Sequence, residues 1–299
     1  MLGRWLAALC AMTWVMGAAG PAAAQDKVRV VATFSILADL ARNVGGDAVD
    51  VTALVGPDSD AHAYSPSPAD AKRLADAKVV LVNGLGFEGW IERLVKASGT
   101  KAAVVAASKG VSPRQMMDED HGKSDPHAWQ SVANARIYVA NIRDGLTVAD
   151  PAGKAVYDAN AQAYLAKLDD LENEVRTAIA TIPADRRKII TTHDAFGYFG
   201  VAYGMSFIAP EGVSTESEPS AKDVARIIRQ IKKQKIPAVF LENVSDPRLI
   251  EQIARETGAA IGGKLYSDAL SEPNGPAATY IDMMRHNVRE LAKALGGPA

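Results

Sequence analysis

Apolar and polar positions along this chain switch between two periods, and the switches outline its elements. Val28 to Phe34 is an apolar, β-branched run that predicts a strand. In the following Ser35-Ile-Leu-Ala-Asp-Leu-Ala, Ile36, Leu37 and Leu40 have helical spacing and Ser35 suits an N-cap. Val49 to Val55 predicts a second strand. Gly56 to Pro68 reads as a loop by its Pro, Ser and Asp content, with a helix expected from about Ala69 to Ala77. A strand at 79–82, a helix at 87–97 and a strand at 102–107 continue the rhythm. Strands separated by helices in this way point to a mostly parallel sheet, a Rossmann-like lobe.

Between Pro151 and Pro183 the pattern changes. Tyr157, Ala161, Tyr164, Leu168, Leu171, Val175 and Ile179 recur at intervals of three and four, with no Gly or Pro among them after Gly153. This predicts one amphipathic helix of about 28 residues and roughly 42 Å, too long for an ordinary crossover and suited to a rigid connector. Strands at 188–192, 206–209, 238–242 and 259–266 then alternate with helices at 195–204, 220–233, 247–257 and 277–295. The expected fold is therefore α/β, with two Rossmann-like lobes at 25–150 and 184–299 joined by one long rigid helix at 151–183. No residue-level repeat relates the lobes.

The N-terminus bears on the compartment. Arg4 supplies a positive n-region, Trp5 to Gly17 an apolar h-region, and Ala22-Ala23-Ala24 before Gln25 fits small-residue cleavage, so residues 1–24 read as a secretory signal peptide. The apolar run is short for a membrane span and no later stretch approaches one. Cys10 is the single cysteine; bulky Leu9 before it and its early place in the h-region argue against lipoprotein processing, so it is expected to leave with the signal. The mature chain then has no thiol, and any metal must be held by nitrogen and oxygen. Losing Arg4 leaves 32 basic against 35 acidic residues, a net charge of about −3. That balance gives no reason to expect nucleic acid or insertion into a membrane.

Two motif matches fail on context. Gly84-Leu-Gly86-Phe-Glu-Gly89 fits G-x-G-x-x-G, but it is not in the first βα turn, and Ala106 to Val111 contains no acidic residue for a ribose. A tight turn is the preferred reading. Gly122-Lys123-Ser124 resembles the end of a P-loop, yet position 117 is Met where Gly is required. There is no H-E-x-x-H and no G-x-S-x-G.

The histidines carry more. His286 lies in the last helix beside Met283, Met284 and Val288 and reads as a helix-surface or packed residue; His121 belongs to a short acidic loop. His62, His127 and His193 each lie in a predicted loop or at a strand end. His193 follows the run from Lys188, at the carboxyl edge where open α/β sheets bind ligands. Singly, each reads as a surface histidine; together they could supply three imidazoles to a first-row metal ion.

His-Ala-Tyr-Ser-Pro at 62–66, Asn-Gly-Leu-Gly-Phe-Glu-Gly-Trp at 83–90, Asp-Pro-His-Ala-Trp at 125–129, Thr-His-Asp-Ala-Phe-Gly-Tyr-Phe at 192–199 and Leu-Tyr-Ser-Asp-Ala-Leu at 265–270 occur in this order across the mature chain. The set resembles the zinc- and manganese-binding solute-binding proteins of bacterial ABC transporters. The resemblance implies a metal site between the lobes, with His62 and His127 from the first and His193 and Asp268 from the second. It also implies capture rather than catalysis, a periplasmic location, a monomer, and an ABC permease in the inner membrane as partner. Asp268 follows a predicted strand end, as His193 does; alone it would read as a turn aspartate. Glu242 is a candidate supporting acid and Asp194 a helix cap.

Three histidines and a carboxylate without thiolate suit zinc, slightly favoured over manganese, with ferrous iron third. Many zinc-specific relatives carry a His-rich loop that here shrinks to Asp118, Glu119, Asp120 and His121. A secreted metal-dependent hydrolase working through His193 or Asp194, and a surface adhesin, are the rival readings. The basic run from Arg226 to Lys235 reads as a helix with packed apolar and solvated charged positions.

Overall fold

The computed structural model describes residues 26–115, 124–216 and 219–296, so the expected signal peptide, Cys10 and His121 lie outside the described residues. The first lobe contains strands β1 (Val28–Phe34), β2 (Val49–Val55), β3 (Val79–Val82) and β4 (Ala103–Ala106), all parallel in the order β2-β1-β3-β4. Helices α1 (Ser35–Gly45), α2 (Pro68–Asp76) and α3 (Ile91–Ser98) connect them, and α4 (Val132–Ala149) follows. The second lobe repeats the arrangement with β5 (Lys188–Ile190), β6 (Ser206–Ile208), β7 (Ala238–Glu242) and β8 (Ala260–Leu265) in the order β6-β5-β7-β8. Between the sheets runs α5 (Lys154–Ala180), and the second lobe carries α6 (Gly197–Tyr203), α7 (Ala221–Gln234), α8 (Pro247–Thr257) and α9 (Tyr280–Leu295).

The long helix follows from its sequence period. All seven apolar positions from Tyr157 to Ile179 are buried on one face of α5, as a 3.6-residue repeat requires. That face belongs to one core which runs from β1 and α1 through α5 to Phe240, Leu265 and α9. A smaller core of isoleucines, Val239 and Ala254 lies on the opposite face of the second sheet, under α7 and α8. Strand alternation sorts neighbours between the two: Ile189 and Phe240 face the large core, Ile190 and Val239 the small one.

Two local expectations are corrected. Ser35 does not cap α1, because the cap residue is Phe34 and the Ser35 hydroxyl instead accepts a hydrogen bond from the Leu270 N–H at 3.0 Å. Asp194 does not cap α6, whose cap residue is Phe196. The sequence pattern assigns no element between 108 and 150, where α4 fills 18 residues. The turn at 84–89 is a tight one: Gly84, Leu85 and Gly86 all have positive φ, which glycine tolerates without strain. The Glu88 carboxylate folds back on it, accepting from Asn83 N at 2.6 Å and Gly84 N at 3.4 Å, which places a negative charge where a pyrophosphate would have to sit.

One irregularity bears on the site. Between β7 and β8 the register slips, with Val239 opposite Ile261 but Leu241 opposite Lys264. The extra residue is a bulge, which bends the strand ahead of Asp268. Gly262 sits there because a Cβ would run into the Phe240 ring.

Candidate metal centre

Every predicted site residue comes to one place. His62 leaves the loop between β2 and α2, His127 lies just before α4, His193 follows β5 and Asp268 follows β8, so all four occupy the carboxyl ends of their sheets. Their donor atoms lie within 4.8 Å of one another, and the residues are buried. His62 Nε2 is 3.2 Å from His127 Nε2 and 3.4 Å from Asp268 Oδ2. Asp268 Oδ2 is 3.0 Å from His193 Nε2, and its Oδ1 is 3.5 Å from His127 Nε2. Ligands about 2.0–2.1 Å from a tetrahedral centre lie about 3.4 Å from each other. The observed separations bracket that value.

The second nitrogens set the tautomers. His127 Nδ1 lies 2.9 Å from Asp125 Oδ1, which also accepts the His127 N–H at 2.9 Å. Asp125 Oδ2 is in turn held by Arg114 Nη1 at 3.0 Å. His193 Nδ1 lies 2.7 Å from Glu242 Oε2, while Glu242 Oε1 accepts the N–H groups of Thr192 and His193 at 2.7 and 3.0 Å. At His127 the hydrogen-bonded carboxylate keeps the proton on Nδ1 and leaves the Nε2 lone pair facing the cluster, the form that binds metal; at His193 the Glu242 carboxylate favours the same tautomer by its charge, although the two facing atoms are not aligned as a hydrogen bond. Glu242 thus has the supporting place expected for it. Asp125 was missed; a carboxylate two residues before a candidate ligand was the available signal, but its orientation is a matter of side-chain geometry.

His62 is held differently. Its ring stands edge-on to Phe87 at 4.5 Å between centroids, its N–H donates to Asp60 Oδ1 at 2.8 Å, and the preceding carbonyl of Ala61 accepts from Trp90 Nε1 at 2.8 Å.

Proton affinities follow these surroundings. Burial lowers the His62 pKa and outweighs the pull of Asp268. Burial also opposes charge on His127, but the Asp268 and Asp125 carboxylates overcome it and hold the imidazole up at about 9. His193 is raised because Glu242 and Asp268 outweigh its burial. Burial would raise the Asp268 carboxyl, yet His193 and His127 hold it well below the carboxylate range. Asp268 Oδ1 is buried without a hydrogen-bond partner, an unsatisfied acceptor that a cation would relieve.

The Asp268 segment is fastened across the lobes. Trp129 Nε1 and Gln130 Nε2 donate to the Ser267 carbonyl at 2.9 and 2.8 Å, and Asp58 N donates to Leu270 O at 2.9 Å. Gly197 opens α6 because a Cβ there would strike the Arg114 guanidinium and Asp125. His286, by contrast, lies away from the cluster, its Nε2 2.9 Å from the Lys264 carbonyl. On α7, Ile227 and Ile231 are buried while Arg226, Arg229, Lys232 and Lys233 are exposed, as the alternation implied.

Two parallel α/β lobes that close a nitrogen- and oxygen-donor cluster between their carboxyl edges define a two-lobed binding protein. Residues 30–294 match the family model described as zinc-uptake complex component A, periplasmic. The chain is 36% identical over 270 residues to the manganese-binding lipoprotein MntA of Halalkalibacterium halodurans, covering 90% of this chain and 89% of that protein. It is 36% identical over 278 residues to the iron-binding protein YfeA of Yersinia pestis, covering 92% and 89%. Among solved structures, the periplasmic zinc-binding protein TroA of Treponema pallidum superimposes with a TM-score of 0.86 at 32% identity, over 91% of this chain and all of that one. The chain belongs to this family, the metal-binding components of ABC transporters, and it is a binding protein rather than an enzyme. The hydrolase reading falls with that result. Among the described residues no helix is long and apolar enough to cross a membrane.

Proposed function

We propose that the protein captures one divalent first-row metal ion outside the cytoplasmic membrane through His62, His127, His193 and Asp268, and presents it to an ABC permease. The observation that carries this reading is the buried cluster itself: four donor atoms at near-tetrahedral spacing, two of the imidazoles oriented by carboxylates. Four protein donors leave no open coordination position, which suits carriage and disfavours hydrolysis.

Three neutral nitrogens and one carboxylate favour zinc slightly over manganese, since zinc stands higher in intrinsic affinity for such donors. Both Asp268 oxygens face the cluster, so a bidentate carboxylate would make a five-coordinate site that manganese accepts more readily. Competing zinc against manganese on purified protein, in the wild type and in His193→Ala, tests both points. Stoichiometric zinc binding that is lost in the variant is the expected result; binding unaffected by the substitution would sink the ligand assignment.

The same reading divides the chain at 25–150, 151–183 and 184–299, removes residues 1–24 on export, and has the protein work as a monomer. Intact mass of the exported product checks the processing: a chain beginning at Gln25 supports it, whereas a lipid-modified Cys10 would contradict it.

A further inference from the structure

The four side chains are at most 5% exposed, so an ion can leave only when the surrounding loops part. The loop bearing His62 meets the second lobe at two points. Asp58 bonds to the Asp268 segment through Leu270 O, and its Oδ1 accepts from Asn243 Nδ2 at 3.1 Å. Two residues on, Asp60 Oδ2 accepts a hydrogen bond from Thr215 Oγ1 at 2.5 Å. Thr215 lies in the loop after β6, and that loop is paired with the His193 turn: Glu211 N donates to Thr192 O at 3.3 Å and Asp194 N to Gly212 O at 3.0 Å. Asp60 Oδ1 meanwhile accepts the His62 N–H. A single planar carboxylate therefore joins the backbone of one proposed ligand to the loop that accompanies another. This joint borders a groove of about 420 Å³ lined by Asp60, Glu211, Thr215, Ser245, Asp246 and Arg248.

We propose that the Asp60–Thr215 hydrogen bond is a clip which holds the His62 and His193 loops together over the bound ion, and that its opening limits the rate of metal release. The proposal rests on ligation by His62 and His193. Asp60 and Thr215 are both only partly buried, so water can replace either partner when the clip opens, and opening is reversible. Such a bond to a charged acceptor is strong enough to hold a loop but not to lock it. Asp60 acts as a positioning residue: it fixes His62 through the backbone and takes no place among the donors.

The test is the dissociation rate of zinc from the loaded protein into excess chelator. Thr215→Val, which keeps the shape and removes the hydroxyl, should release zinc about fivefold faster, with unchanged stoichiometry and unchanged melting of the metal-free protein. Thr215→Ser, which keeps the hydroxyl, should restore slow release. Thr215→Val at the wild-type rate, or Thr215→Ser as fast as Thr215→Val, would overturn the clip. His62→Ala and His193→Ala measured alongside separate the two readings: if neither lowers zinc binding, the ligand assignment has failed, whereas if both do and Thr215→Val is silent, only the clip has.

Discussion

His127 and His193 are each backed by a buried carboxylate at Nδ1, whereas His62 is backed by the edge of Phe87 and a backbone turn. The difference shows in their protons: the first two are raised above the ordinary histidine value and His62 is lowered. A metal ion entering the cluster thus meets two imidazoles whose orientation and tautomer are set in advance and one whose position depends on its loop. Asp268 belongs with the first group, since its segment is bonded to Trp129 and Gln130 of the first lobe. The site is built from preset donors and one adjustable one, and the adjustable one sits beside the groove.

The largest effects should come from the preset imidazoles. His127→Ala and His193→Ala are expected to weaken zinc binding by more than about a hundredfold, beyond the range that outer partners control, and His62→Ala by distinctly less. Equal losses in calorimetric titration at all three positions would break the comparison.

Next in size are the supports. Asp125→Asn and Glu242→Gln remove the charge that holds each Nδ1 proton, and each should cost about 10–100-fold in affinity. Replacement of Phe87 by Leu, next to His62, should cost less than about threefold, because an apolar wall remains. If the Phe87 variant loses as much as the carboxylate variants, the carboxylates are not what presets the imidazoles.

Protons sharpen the contrast further. With His127 at about 9 and His193 also raised, the empty site carries protons at neutral pH, and metal must displace them. Zinc affinity should therefore rise with pH from neutrality through about 9. The sign reverses for the metal-free fold: a raised imidazole pKa stabilises it below about 6.5 and that contribution is lost as pH rises through about 9. Calorimetry at pH 7 in buffers of different ionisation enthalpy should show proton release that survives His62→Ala and shrinks in His127→Ala.

On zinc affinity, the smallest effect, none at all, is expected of a group away from the metal. Asp39, buried in α1, accepts the N–H of Tyr280 at the start of α9, and burial pushes its pKa up to about 6. Its ionisation costs stability as pH rises through about 6, so Asp39→Asn should stabilise the protein at pH 8 by up to about 3 kcal/mol and do little at pH 4. Zinc affinity should not change, and a change would mean that the α1–α9 contact belongs to the site after all.

Much of the fold was legible. The seven apolar positions of α5 form an unbroken period, and the βα rhythm located all eight strands of the described residues to within two residues. Helix α4 was missed because its buried face is partly small: Ala135 and Gly145 alternate with Val139, Ile142 and Leu146, and Gly145 leaves room for Val105. The site was less legible than the fold. His62 and Asp268 are 206 positions apart in sequence, and no local period reveals that two sheet edges face each other; the ordered motifs of a family did. Helix caps misled where a polar side chain had a distant partner, as Ser35 has in Leu270.

X-ray absorption of the zinc-loaded protein reads the donor set itself. A first shell of nitrogen and oxygen alone at about 2.0–2.2 Å is expected, with outer scattering from three imidazoles, reduced to two in His193→Ala. Fewer than three imidazoles in the wild type, or a spectrum unchanged by that substitution, would contradict that donor set.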